Sequence, residues 1–360
     1  MKLVYLSPVP WNSVAQRPHF FVKAALESGF TSVLWVEPTP SRLPLLKDFR
    51  TKLFSVEADS FEKPYQIEIE KPKCIPVEPF RLLYDLVNHK TLKNIQEKIS
   101  DFSSCENAVL VIGKPSRFAL RVLDSVLFCK TVFDVMDDFP HFFKGISAKS
   151  MEVLHRNVIK KVDICFFSSH NLQSKYRDIA NSCELVLNAC DKEFNFACKN
   201  FDKKKLTGSR VFGYVGSVAE WFDWSVVIKL AQDNPDDHII IVGPNYSPCI
   251  PDLPNNIEIR KAVQHSEIPE LLSSFNYALI PFKINGLTDS VDPVKYYEYI
   301  AAGLPVISTG FGEMKHRISQ DKAVTFEQFQ SGKVPISERP VFWMDRFGKF
   351  LSDFMSEKKN

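Results

Sequence analysis

The densest chemistry in the chain lies in Asp292–Thr309, DPVKYYEYIAAGLPVIST. Pro293 can open a helix at its first turn, where a missing N–H costs nothing. Tyr296, Tyr297, Ile300 and Ala301 then fall at inward spacing, and Gly303 ends the helix before the strand-like PVIS. Lys295 and Glu298 stand three residues apart, so both project from one helix face. A glutamate in the second turn can accept both hydroxyls of a ribose. A lysine one turn earlier, with the helix N-terminal amides, suits a diphosphate. An ordinary surface Lys–Glu pair on a core helix meets the same spacing, so both readings stand at this level.

Other polar residues cluster after strand-like runs. Asp137 and Asp138 follow TVFDV, where a carboxylate could take the proton of an attacking hydroxyl; either could instead cap the next helix. His141 is a further candidate on the acceptor side, set among Phe139, Phe142 and Phe143, where a histidine can also be structural. Arg17 and His19 follow the first strand and are read as loop residues. Arg17 would suit a bound phosphate and His19 a second substrate, unless Pro18 merely starts a helix there. Trp221, Phe222 and Trp224 read as packing before they read as a sugar platform. Adjacent aspartates point their side chains apart, and no Asp-x-Asp follows a strand, so no metal is implied and none is expected as a cofactor.

These residues need a scaffold, and the periodicity supplies one. Lys2–Ser7, Ser32–Glu37, Ala108–Ile112, Thr131–Val135 and Asp163–Ser168 are short apolar runs rich in β-branched and aromatic residues. A helical pattern over Pro18–Glu27, stopped by Gly29, joins the first two, which is the order of a βαβ unit with parallel strands. Residues 38–75 read as an irregular excursion. Pro79–Ile99 reads as an amphipathic stretch carrying Lys90, Lys93 and Lys98; a core helix is the first reading and a membrane-surface role the second. After a lysine-rich stretch at 191–209 the pattern restarts with Val211–Val215, His238–Val242, Ile257–Arg260, Tyr277–Ile280 and Pro305–Ser308. Near-continuous apolar strands of this kind are covered by helices on both faces. The reading is therefore α/β: two Rossmann-like doubly wound domains, 1–195 and 206–340, facing across a cleft. Residues 341–360 form a closing helix packing back toward the first.

Bulk properties set the outer limits. A length of 360 residues fits two domains of roughly 100–200 residues each. Hydrophobic residues at 45% and charged residues at 24% are those of an ordinary globular chain, not a disordered one. A formal charge of +2 argues against a nucleic-acid binder. The eight cysteines contain no C-x-x-C pair, which disfavours a metal site or disulfide framework and fits a reducing, cytoplasmic setting. The apolar run at the N-terminus is too short for a signal-peptide core, and no stretch reaches the ~18 apolar residues that span a bilayer. Any membrane association would be peripheral, at the inner face.

The segment PVKYYEYIAAGLPVIST resembles the donor-site helix of family 4-type glycosyltransferases with the GT-B fold. It is most similar to the branch of bacterial teichuronic-acid, capsule and exopolysaccharide enzymes. Gln16-Arg17-Pro18-His19, FDVMDDFPHFF at Phe133–Phe143, SSHNLQSKY at Ser168–Tyr176 and Leu187–Asp191 continue the likeness in order. GYVGSVAEWFDW from Gly213, IVGP from Ile241 and ALIPF from Ala278 complete it. The resemblance implies that Glu298 binds the donor ribose and Lys295 approaches the diphosphate. It implies that Gly216 and Ser217 admit the phosphates and that the turn around Val263 meets the nucleobase, with Pro293 opening the donor helix. The implied reaction moves a sugar from a nucleotide-diphosphate donor, a UDP-sugar by preference, to a hydroxyl of a glycan or lipid-linked acceptor. Two departures stand out. Ser290 occupies the place of a glutamate usual in that family, and Ser-Val-Ala-Glu-Trp replaces a usual basic pair. They keep open a nucleotide-sugar epimerase or hydrolase of the same fold, or a donor-binding subunit without turnover. A dehydrogenase is disfavoured because no G-x-G-x-x-G follows either first strand.

Overall fold

The structure is a computed structural model that describes residues 1–39, 63–75, 81–104, 107–202, 208–247 and 249–356. Most of the 38–75 stretch and the middle of the lysine-rich segment lie outside the described residues. The chain divides into two compact units, Met1–Val186 with Met344–Asn360, and Leu187–Trp343.

The first unit carries a seven-stranded sheet of parallel pairs. Its strands are β1 (Lys2–Leu6), β2 (Ser32–Val36), β3 (Ile67–Glu70), β4 (Ala108–Ile112), β5 (Lys130–Val135), β6 (Ile164–Phe167) and β7 (Cys183–Leu185). They lie in the order β3-β2-β1-β4-β5-β6-β7. Helices α1 (Arg17–Glu27), α2 (Arg81–Val87), α3 (His89–Ser103), α4 (Arg117–Ser125), α5 (Ile146–Lys161) and α6 (His170–Tyr176) supply the crossovers. Central strands are buried end to end, as in Ala108–Ile112, because helices cover both faces of a parallel sheet.

Two strands escape the sequence reading. Ile67–Glu70 lies within the supposed excursion yet pairs with β2. Its IEIE alternation, with only Ile67 fully buried, is that of an edge strand with one wet face. Cys183–Leu185 is three residues long and half-buried at the other edge, too short to show a period. The described part of the 79–99 stretch, from residue 81 onward, is two helices, not one. Asn88 breaks it, its side chain accepting the Ile75 N–H at 2.7 Å and donating to the Ile75 and Tyr84 carbonyls. Leu92, Ile95 and Ile99 of α3 enter the core, and Lys98 pairs with Glu68 and Glu70 of β3. That apolar face is used inside the protein.

The second unit has a five-stranded parallel sheet built from β8 (Val211–Val215), β9 (His238–Val242), β10 (Ile257–Arg260), β11 (Tyr277–Ile280) and β12 (Val306–Ser308). The order is β10-β9-β8-β11-β12. Its helices are α7 (Lys192–Lys199), α8 (Trp224–Asp233), α9 (Ile268–Ser273), α10 (Val294–Ala301), α11 (Met314–Ser319) and α12 (Phe326–Gln330). Helix α7 falls in the stretch read as linker. It is a short amphipathic helix whose Phe194 joins the second core, and lysines on its wet face hide it from a periodicity count. The chain therefore changes unit at Val186–Leu187, ahead of that stretch.

The closing helix α13 (Trp343–Ser356) packs on the first unit from Met344 onward. Phe347 meets Phe21 with ring centroids 4.7 Å apart, and Phe350 meets Phe166 at 4.8 Å. In both sheets the order reverses at the first strand, between β1 and β4 and between β8 and β11. Open α/β sheets bind ligands outside the strand carboxyl ends at such a point.

Candidate functional site

In the second unit the glycine loop and α10 are brought together. Gly216 follows β8 with φ of 149° and Gly243 follows β9 with φ of 145°, a conformation side-chain-bearing residues rarely adopt. A Cβ on Gly243 would strike the Gly216 carbonyl, and one on Gly216 would strike Cε and Nζ of Lys295. The lysine therefore lies directly over the glycine backbone, 5.8 Å from the centre of the Tyr214 ring. Two bonds fix this register. The Tyr299 hydroxyl of α10 accepts the Val215 N–H at 3.0 Å. The Tyr214 hydroxyl donates to the Ser217 carbonyl at 2.8 Å. Burial lowers the Lys295 pKa, and the Glu298 charge partly restores it. An ammonium desolvated in this way gains most from an anion placed against it.

Glu298 lies one turn further along α10, its side chain 22% exposed and 3.6 Å from Nε2 of His265. His265 sits in a short 3-10 turn, His265–Glu267, just beyond β10. Its ring packs on Phe194 at 5.4 Å. Val263, two residues before it in the segment after β10, packs half-buried against the second core. Sequence reasoning passed over His265; its only signal is its position two residues after Val263. Pro293 is the residue before the first turn rather than within it, extended at φ −74° and ψ 119°.

Asp292 is buried and fully engaged. It accepts from Arg317 at 2.6 Å, the Tyr297 hydroxyl at 2.9 Å and the Asn188 N–H at 2.7 Å. It anchors the start of α10. Ser290 is buried beside it. Phe222 is 1% exposed and meets Tyr214 edge-on at 5.0 Å and Trp224 at 4.7 Å, so this aromatic cluster is packing.

In the first unit the expected loop residues prove to be helical and buried. Arg17 begins α1 and holds Asp134 of β5 through Nε at 2.9 and 3.0 Å and through Nη2 at 2.8 Å. Its guanidinium stacks on Phe347 at 5.1 Å. His19 is fully buried; its Nδ1 accepts the Gln16 N–H at 3.2 Å. Its Nε2, 3.0 Å from the Trp11 carbonyl, must then carry the proton. Burial keeps the ring neutral, lowering its pKa despite these backbone bonds. Neither side chain lies in a loop, because the helix starts at Arg17, immediately after Gln16, with Pro18 in its first turn. The unpredicted partner is Asp134, a carboxylate inside an apolar strand that only the fold matches to an arginine.

The two neighbouring aspartates behave differently. Asp138 is 7% exposed and held by Lys175 at 2.9 Å, His141 Nδ1 at 3.0 Å and the Tyr176 hydroxyl at 3.4 Å. His141, half exposed, is thus a partner of Asp138. Asp137 has no hydrogen-bond partner among the described residues. Burial pushes its carboxyl up to about 7, Arg17 pulls it down, and Asp134 and Asp138 raise it further. A carboxyl titrating near neutrality can take and release a proton at working pH.

The free cysteines among the described residues include buried Cys74, Cys165 and Cys190. Burial pushes the Cys165 thiol up to about 12. Among the described residues no helix is long and apolar enough to cross a membrane.

No protein-family model matches the chain. A putative teichuronic acid biosynthesis glycosyltransferase, TuaH of Bacillus subtilis (strain 168), is 26% identical over 168 residues, 44% of this chain. That match spans 39% of the relative's own length. The sucrose-phosphate synthase of Thermosynechococcus elongatus superposes with a TM-score of 0.61 at 11% identity, over 99% of this chain and 94% of that one. Anabaena HepE, in complex with UDP and glucose, gives 0.56 at 11% identity over 100% and 91%. An α,α-trehalose-phosphate synthase (UDP-forming) from Burkholderia xenovorans, in complex with glucose-6-phosphate, gives 0.57 at 11% over 99% and 91%. The chain thus has the fold of the GT-B glycosyltransferases and resembles a teichuronic-acid glycosyltransferase in sequence.

Proposed function

We propose that the chain is a glycosyltransferase that takes its sugar from a UDP-sugar and hands it to a hydroxyl of a cell-surface glycan or lipid-linked precursor. The observation that carries this reading is the Lys295 ammonium lying over the Gly216 backbone, with Glu298 one turn along the same helix. That is a cation, a close-approach backbone and a bidentate acceptor in the order diphosphate, then ribose. His265 would share the ribose with Glu298, and the turn at Val263 would border the base.

In the proposed reaction the acceptor oxygen bonds to the sugar's anomeric carbon as the bond from that carbon to the diphosphate oxygen breaks. The leaving oxygen's charge is met by Lys295 and the loop amides around Gly216 and Ser217. The acceptor's proton goes to Asp137, while Asp138, clamped by Lys175 and His141, holds the segment in place. A cation already seated at the phosphate position supports transfer without a divalent metal. Buried free thiols fit a cytoplasmic setting, and peripheral contact with the membrane's inner face would follow from a lipid-linked acceptor.

Titration calorimetry with UDP, with and without EDTA, tests this. Glu298→Ala should cost on the order of 1–3 kcal/mol of UDP affinity, the worth of a charged hydrogen-bonding group. Unchanged affinity would sink the ribose assignment, and loss of binding in EDTA would sink the metal-free one.

A further inference from the structure

Three residues before Lys295 the second unit buries a charge pair. The Asp292 side chain is fully buried and that of Arg317, on α11, is 8% exposed, with the guanidinium Nη2 2.6 Å from Asp292 Oδ1. Hydrogen bonds bind the pair to its surroundings. Arg317 also donates to the Tyr297 hydroxyl at 2.7 Å, and that hydroxyl donates to Asp292 Oδ2 at 2.9 Å. Asn188 is tied to Asp292 twice, its N–H donating to Oδ2 at 2.7 Å and its Nδ2 to the carbonyl at 2.6 Å. The guanidinium lies 4.2 Å from the centre of the Tyr296 ring and 5.0 Å from that of Tyr297. Burial alone would lower the Arg317 pKa, but the Asp292 charge carries it above the ordinary value.

Stability does not account for such a pair, because apolar residues of similar volume often serve a core as well. Nor do the hydrogen bonds, since a neutral amide at position 292 could accept from Asn188 and Tyr297. What the pair adds is a carboxylate with its charge cancelled, and its place decides the consequence. Asp292 stands one turn before Lys295, at the helix end whose amides and lysine suit a diphosphate. An uncancelled carboxylate there would oppose the phosphates through protein, where like charges act more strongly than in water. Glu338, bonded to the Tyr296 hydroxyl, has its own cation in Lys322 at 2.8 Å. Arg317 is thus left to Asp292.

We infer that Arg317 is a positioning residue for donor binding: it neutralises Asp292 and so leaves the start of α10 open to a nucleoside diphosphate. Asp292 meanwhile fixes the helix that carries Lys295 and Glu298. This role rests on the donor reading, and it adds a residue that itself touches neither ribose nor phosphate.

Titration of the full chain at pH 8 with UDP and with uridine tests it, since uridine keeps the base and ribose but lacks the phosphates. Arg317→Gln keeps a donor for Asp292 and drops the charge. UDP affinity should fall at least about tenfold, and uridine affinity less than about twofold. Asp292→Asn keeps an acceptor for Asn188 and Tyr297 and leaves Arg317 charged, so UDP should bind about threefold more tightly or better. The double variant should recover most of the Arg317→Gln loss. Opposite signs in the two single variants are what a purely structural role does not produce. UDP and uridine weakening together in both would make the pair a support only and overturn the inference, as would UDP affinity unmoved in both. If Arg317→Gln does not fold, Asp292→Asn decides: equal or weaker UDP binding overturns the inference. Native chain that binds UDP while the variants behave in these ways sinks this role alone. Native chain that binds neither UDP nor uridine sinks the donor reading, and this role with it.

Discussion

Asp137→Asn separates a carboxylate kept for chemistry from one kept for stability. Burial, then the Asp134 and Asp138 charges, hold its carboxyl at about 7 against an ordinary 3.8, with Arg17 opposing. A folded pKa above the unfolded one means that folding favours the proton. Stability is therefore fully present below about pH 4, falls as pH rises from 4 to 7, and is level above that. The rise from 3.8 to about 7, at ~1.36 kcal/mol for each pH unit, sets a ceiling of about 4 kcal/mol at pH 8. At pH 5, about 1.2 pH units into that range, the same arithmetic gives about 1.6 kcal/mol. Asparagine keeps the shape and removes the charge. Urea denaturation should therefore find Asp137→Asn more stable than the native chain at pH 8, with the gap closing toward pH 4. Its transfer rate should fall on the order of 10²–10⁴-fold, the worth of a positioned base, while UDP affinity holds. A variant with the same stability as the native chain at both ends of the range refutes the assignment, because no desolvation would then be relieved.

Arg17→Met leaves the Asp134 carboxylate buried without its partner and should cost about 3–5 kcal/mol of stability, read by thermal or urea unfolding. UDP affinity of the folded fraction should be unchanged, where a donor-phosphate contact would lose it. Gly216→Ala places a Cβ against Lys295 at a backbone angle alanine resists. Calorimetry should show UDP affinity reduced at least tenfold, and a variant binding normally would remove Lys295 from the phosphate position.

The parts of the fold that burial dictates were readable from residue order alone. Strands such as AVLVI and HIIIV lie inside on both faces, so their composition has one interpretation. Edge strands do not: IEIE shows only one dry position, and CEL is too short for a period. The site divides along the same line. Lys295 and Glu298 were visible because helical spacing puts them on one face. That Lys295 reaches Gly216 depends on a crossover far along the chain, as does the pairing of Arg17 with Asp134. Arg17 and His19 looked exposed because charge in a sequence carries no record of a distant partner. Asp137 and Asp138 are alike as letters; Lys175, from another helix, makes Asp138 an ion pair, while burial raises Asp137.

The closing helix has a consequence for how the molecule comes into being. Phe347 and Phe350 cover Phe21 and Phe166 of the first unit, yet the ribosome makes them only after all of Leu187–Trp343. The first unit must wait with an apolar face open while the second, contiguous in sequence, is free to fold at once. Order of synthesis and order of completion are thus reversed. Nascent chains stalled before residue 344 should engage chaperones through that uncovered face.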